Sequence, residues 1–447
     1  MEENNQLYNI MNDFIVSLIS MKKISEKYYE SDDLFRAFQI FGTSDKNAVR
    51  FIVAYKQLQL NGENDESIKK YEGSIESDTK LKLFNNQIIM HDNHIRTKNP
   101  YIKLILHEIN DEYKMIKLEI EQMKNNQIRN LISLLESLVS NLTVNYIRSV
   151  SNQDILNDQK IKYNDIKHLE TMQDLKDFVL EQKVVDMMYD SFNKWLTTFI
   201  SNYTKEKAQS FNSINKELID LISEVFERRN ILTHNNGIVS HLYISRINEL
   251  SISNELNIGE KIKIDEDYLS SSRSNIFKMG IILFFLSVKS LGCNRDSAFI
   301  TKLTLIGLEL LNNDFFSEGK LFFSLLLEND KTSNEDQKEI TLYNLWLSQK
   351  LMGDHTCDLD IQKHFDDKSE INSQQEMARA IFLNDSNYLE KIEAFFELVE
   401  VKQIIIILQW PIFKLVKQKD DFIAFQEKYL YNNFEEEKEN DENDDNE

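Results

Sequence analysis

Glycine and proline are scarce in this chain: ten Gly and two Pro (Pro100 and Pro411) in 447 residues. β-Sandwiches and Gly-rich nucleotide folds depend on those residues at their turns. A chain so poor in breakers is pushed towards helix, and Leu, Ile, Lys, Glu and Asn dominate what remains, a mix that suits helices with solvated outer faces. The expected class is all-α. The length allows two or three domains, each with its own core.

Apolar spacing divides the chain into blocks. Residues 1–125 read as helices with polar interruptions: Leu7–Met21, Val49–Leu60 and a long helix from Lys103 to Glu121, with Asn61–Asp65 as a loop. A second block, 126–292, carries amphipathic helices marked by Leu131–Leu142, by Phe178–Phe199 and by Ile214–His234. Asn235-Asn236-Gly237 stops the last of these, because Asn and Gly accept the left-handed C-cap conformation. Gly259–Asp265 alternates with period two and reads as a short extended segment, after which Asp265 or Asp267 caps a helix running to about Leu291. From 293 to 434 the pattern is one of paired helices: Leu303–Leu311, Phe315–Leu327, Glu339–Met352, Met377–Leu383, Tyr388–Val399 and Ile404–Val416. The run Leu308–Phe316 followed by Gly319 and Phe322-Phe323 loosely resembles a tetratricopeptide-type helix pair. Residues 435–447 are expected to be a disordered acidic tail.

Composition narrows the function classes. The net charge is −22, and still about −14 without the tail, so a general nucleic-acid coat protein is disfavoured; RNA binding would have to be local. Cys293 and Cys357 cannot build a disulfide framework or a four-thiolate zinc site and read as reduced thiols. Met1-Glu2-Glu3 has the wrong charge for a signal peptide, and the most apolar stretches, Gly280–Val288 and Ile404–Leu408, fall short of a membrane span. The expected location is the cytoplasm, with no membrane partner. No Walker, Rossmann or nucleophile-elbow pattern occurs, and no cofactor is expected. His91-x-x-His94 lacks further ligands and reads as surface histidines rather than a metal site.

The segment that carries chemistry is Arg228-Arg229-Asn230-Ile231-Leu232-Thr233-His234. RNA strand scission by the 2′-hydroxyl needs a proton acceptor, a proton donor for the leaving 5′-oxygen, and cationic hydrogen-bond donors for charge developing on phosphorus. Histidine exchanges protons near neutrality, arginine's fork matches phosphate oxygens, and asparagine can orient either group. No metal is required. On a helix, Asn230 and His234 fall on one face about 40° apart, whereas Arg229 and His234 are about 140° apart. These two converge only through a long reach of the Arg side chain, a loosened helix end, or a second copy of the motif. The plain alternative makes both arginines solvated helix residues and His234 a favourable C-terminal cap.

Arginine, a polar residue and then histidine after four intervening residues resembles the signature of the HEPN superfamily of helical ribonucleases. Asn235–Val239, Tyr243 and Gly259–Ile264 followed by Tyr268-Leu269 also look like its members from abortive-infection and toxin–antitoxin systems. The resemblance covers roughly residues 126–292. It implies a helical bundle, dimerisation that juxtaposes two motifs, and metal-independent RNA cleavage leaving a cyclic phosphate. By position, Arg229 would bind phosphate, Asn230 would be its polar partner and His234 the acid/base. Arg228 would be an accessory, substrate-binding cation. Apart from the resemblance, His241 follows the motif loop and reads either as a second proton-transfer and substrate-binding group or as a plain loop histidine. The expected partners are RNA, a second copy of the chain, and an antitoxin or phage-derived trigger protein. The alternative function is a catalytically inactive scaffold or an RNA-binding regulator.

Overall fold

The computed structural model describes residues 2–29, 44–61, 65–91, 94–150, 161–252 and 255–427. The interior of the expected loop at 61–65 and the whole acidic tail 435–447 lie outside them. Among the described residues nearly all regular structure is helical, as the scarcity of breakers implies. One antiparallel hairpin, Ile88–His91 with His94–Thr97, interrupts it.

The chain forms two compact units, each assembled from separated stretches. One joins residues 16–134 and 220–273; the other joins 1–15, 135–219 and 274–447. The expected boundary at 125/126 falls inside a single 51-residue helix, Pro100–Val150. Its polar run Glu119–Gln127 resembles a linker in sequence. It contains no Gly or Pro, however, and so continues as helix, mostly half-buried and ending on buried Gln127.

In the first unit, the helices Asp45–Asn61, Asp65–Ser77 and Thr79–Gln87 gather with the hairpin and the start of the long helix around Val49, Ile52, Phe84, Ile88, Ile102 and Ile105. Asp78 fixes the start of Thr79–Gln87 by accepting from the amides of Lys80 and Leu81. A helix-only reading of residues 1–125 misses the hairpin, because four-residue strands are too short to leave a period-two signature.

In the second unit, the helix Glu266–Leu291 from Ser274 onward supplies a long apolar wall. By length and composition it would pass for a membrane span, yet 61% of its most apolar window is buried inside the protein. Phe277 meets the rings of Phe14 and Phe315 edge-on at 5.9 and 5.2 Å, and Phe285 meets Phe322 at 5.1 Å. Gly280 sits where a Cβ would overlap the ring of Phe14, itself buried, and press on Leu138. Gly280→Val should therefore destabilise this unit by about 1–3 kcal/mol through overpacking, seen as a lower urea midpoint.

The helices Ser297–Asn312, Phe316–Asn329, Glu335–Leu351, Asp358–Asp366, Ser373–Leu383 and Tyr388–Phe396 follow, several packing on their sequence neighbours. The apolar run 178–199 is two helices, Met172–Met188 and Phe192–Tyr203, with Ser191 at the N-cap position of the second. Ile404–Val416 is also two pieces, divided at Trp410-Pro411, the helix boundary that proline marks in the sequence and where it starts a 3-10 turn. Asp358–Asp366, absent from the periodicity reading, contributes buried Ile361 and Phe365.

Glu339 ties three of these helices together. Its carboxylate accepts from Tyr343, Lys368 and, at 3.0 Å, the amide of Gln375, and meets His364 Nε2 at 2.9 Å. Burial works against its charge, but Lys368, Tyr343 and His364 outweigh it and hold its pKa down to about 2. An unfolded Glu titrates near about 4.3. Its stabilisation is thus complete above that pH and is lost as pH falls towards 2. Wild type should lose more stability between pH 5 and 3 than Glu339→Gln, as chemical denaturation at both pH values will read.

Candidate catalytic site at the end of the motif helix

The helix Lys216–His234 lies wholly in the first unit from residue 220 onward. Ile222, Val225, Phe226, Ile231 and Leu232 bury its inner face. Glu224, one turn before Arg228, is buried at 7% exposure, and a buried carboxylate demands partners. It has three. The Arg228 guanidinium donates to Oε1 at 2.7 Å, the Tyr243 hydroxyl to the same oxygen at 2.9 Å, and the Tyr268 hydroxyl to Oε2 at 2.6 Å. The Arg228 guanidinium also lies 3.7 Å over the Tyr268 ring.

The electrostatics follow from that closure. Burial, and then the Glu224 carboxylate, push the Tyr243 and Tyr268 hydroxyls well above the usual phenol range, so both stay protonated as donors. Burial disfavours the Arg228 charge, but Tyr268, Glu224 and Tyr243 more than compensate, and it remains a cation. Arg228 is therefore engaged inside the protein, bracing the helix from within.

The end of the helix is sharply made. Helical bonding runs on through Asn235, whose amide donates to Ile231 O at 2.9 Å, and the Gly237 amide caps the same carbonyl. Positive φ appears only at Asn236 (50°) and Gly237 (77°). The left-handed stop expected from Asn-Asn-Gly is present, but the helix does not loosen before His234. Arg229 and His234 thus stay about 140° apart around one helix axis.

Beyond the stop, the chain pairs with the alternating segment. Ile238 bridges Lys261, Val239 N donates to Glu260 O at 2.9 Å, and Ile262 N donates to Gly237 O at 2.8 Å. Ile262 and Ile264 point inward while Lys261 and Lys263 are exposed, the burial pattern that the period-two alternation foretells. Asp265 caps the following helix by accepting from the Tyr268 amide at 2.8 Å.

A residue with no sequence signal completes the site. Arg129, on the long helix, donates to Leu232 O at 2.6 Å and to Thr233 Oγ1 at 3.4 Å, and is steadied by Asn126 Oδ1 at 2.6 Å. It neutralises the carbonyl end of the motif helix. Its target lies 103 residues away in sequence, so nothing local marks it. Arg129→Met should cost about 1 kcal/mol and fray this helix end, read as faster amide exchange at Asn235 and Gly237.

His234 is exposed at the helix end, Arg229 and Asn230 are half-buried one turn earlier, and Arg229 lies 5.6 Å from the Phe226 ring centroid. His241, also exposed, opens the short helix His241–Ile247. Several neighbouring cations are ion-paired: Arg246 with Glu227 at 2.8 Å, Lys261 with Glu121 at 2.7 Å and Lys124 with Glu266 at 3.4 Å. No family model, curated protein or solved structure matches the chain.

Proposed function

We propose that the chain is a metal-independent endoribonuclease of the HEPN type, acting in phage defence or as a toxin. The supporting observation is an accessible His234 at the abrupt end of a rigidly braced helix, with Asn230 on the same face and Arg229 one turn earlier on another face. In the reaction, His234 accepts the proton of an RNA 2′-hydroxyl as that oxygen attacks the adjacent phosphorus. The bond from phosphorus to the 5′-oxygen breaks, and His234 returns the proton to the leaving oxygen. A 2′,3′-cyclic phosphate and a free 5′-hydroxyl result. Arg229 stabilises the charge on the phosphoryl oxygens.

With the helix regular through His234, the proposed site is one completed in a dimer, in which Arg229 of one copy would face His234 of the other. The proposal carries with it a HEPN-like bundle around the motif helix, and a tetratricopeptide-like sensor or partner-binding array formed by the C-terminal helices. The pairing of Arg228, Arg246 and Lys261 leaves fewer cations for phosphate and so favours, as a second reading, a catalytically inactive scaffold over an RNA-binding regulator. Incubating the purified protein with total RNA in EDTA separates these readings. Cleavage that survives chelation and leaves cyclic phosphate ends supports the enzyme; cleavage that requires a divalent metal overturns the mechanism, binding without cleavage supports the regulator, and the lack of both supports the scaffold.

A further inference from the structure

Between the helices Glu335–Leu351 and Ser373–Leu383 and the turn at Trp410-Pro411 lies a pocket of about 470 Å³. That volume is in the range that holds small organic molecules or single bulky side chains. Three aromatic residues, Tyr343, Phe382 and Trp410, line it, and two carboxylates, Asp336 and Glu339, stand one helical turn apart on its wall. No Lys, Arg or His is among its lining residues. Ile340 stands at its wall with 52% of its surface exposed, a large apolar group left in water.

These features select a ligand class. Aromatic faces present negative potential and attract cations, and the Asp336 carboxylate adds to it, whereas the charge of Glu339 is already met by Lys368 and His364. A phosphate, or the acidic stretch 435–447 of this chain, would meet like charge and is rejected. The walls are preformed, because Glu339 already holds Tyr343, His364, Lys368 and Gln375 in place before anything binds. Asp336 is exposed and remains the carboxylate best placed to meet an incoming charge.

We propose that this pocket binds an apolar cation: an aromatic or branched aliphatic body carrying an ammonium or guanidinium group. It arises from residues 308–412 alone and stands independently of the ribonuclease reading.

The test uses the full-length protein, with Trp fluorescence and calorimetry reporting on titrations of phenethylamine, its anionic counterpart 3-phenylpropionate, and a blocked phenylalanyl-arginine amide. The expected result is saturable binding of the cationic probes at least tenfold tighter than of the anion. Asp336→Lys and Ile340→Lys, both at exposed positions, should each weaken the cationic probes about tenfold with an unchanged thermal melt. Tighter binding of the free amine assigns a small-molecule ligand, tighter binding of the peptide assigns a side chain of a partner protein, and either outcome upholds the site. Equal affinity for the anion, no saturable binding of any probe up to millimolar concentration, or unaltered binding by both variants overturns it.

Discussion

His234→Ala should lower the rate of RNA cleavage by about 10²–10⁴-fold, the range that loss of one positioned proton-transfer group produces. The protein should melt as wild type does, since His234 is exposed and such surface changes stay within about 0.5 kcal/mol. Arg229→Ala should cause a comparable loss, by removing the cation that meets the charge developing at phosphorus. The informative experiment mixes the two inactive chains. If Arg229 of one copy works with His234 of the other, a mixed dimer contains one intact pairing, and activity returns on mixing. Were the site complete within a single chain, mixing would restore nothing. A mass measurement in solution, made on the same mixture, verifies that dimers are present.

Glu224→Ala should be the most destabilising single change in the motif region. It strands the Arg228 guanidinium beneath Tyr268 and removes the acceptor of two phenols held firmly in the protonated form. Breaking a buried pair in this way costs about 3–5 kcal/mol, a large share of a typical folding free energy of about 5–15 kcal/mol. The urea midpoint should drop, and amide exchange should speed up first in the helix Lys216–His234. Removing both charges together, as Glu224→Leu with Arg228→Met, should cost less than Glu224→Ala alone, since no charge is then left stranded. If the double variant is as damaged as the single one, the network owes its stability to packing rather than to charge.

The two expectations differ in what they remove. His234 touches substrate in the proposed reaction and touches little else, so its loss shows in turnover. Glu224 meets no substrate in the proposed reaction, and acts by bracing the helix that carries Arg229, Asn230 and His234, so its loss shows first in stability. The sequence singles out Arg228 as an accessory cation for RNA; the structure gives that charge to Glu224 instead. Nothing in Glu224-Val225-Phe226-Glu227-Arg228 tells which of the two acids turns inward. The i, i+4 spacing of Glu224 and Arg228 fits any solvated helix pair.

Much of the helical framework is legible because it rests on local terms. Few breakers and a 3.6-residue apolar period mark the helices, and Asn235-Asn236-Gly237 marks the stop at His234 through a backbone conformation that only a few residue types tolerate. The alternation of Lys261, Ile262, Lys263 and Ile264 likewise gives the extended segment and its buried face. Boundaries are less legible. The block boundary placed at 125/126 falls within continuous helix, while the apolar run 178–199 looks continuous and is two helices. Polarity tells which side of a helix meets water, and the chain breaks where capping geometry and packing allow.

What the sequence alone determined is the all-α class, the motif helix with its end at His234, and the residue types on which the proposed site rests. Tertiary structure decided the rest. It committed Arg228 to Glu224, Tyr243 and Tyr268, brought Arg129 onto the Leu232 carbonyl, and kept the helix regular so that Arg229 and His234 point different ways. Those are contacts between groups up to 103 residues apart. Burial and charge neutralisation set them, and neither quantity exists until distant stretches of the chain have come together.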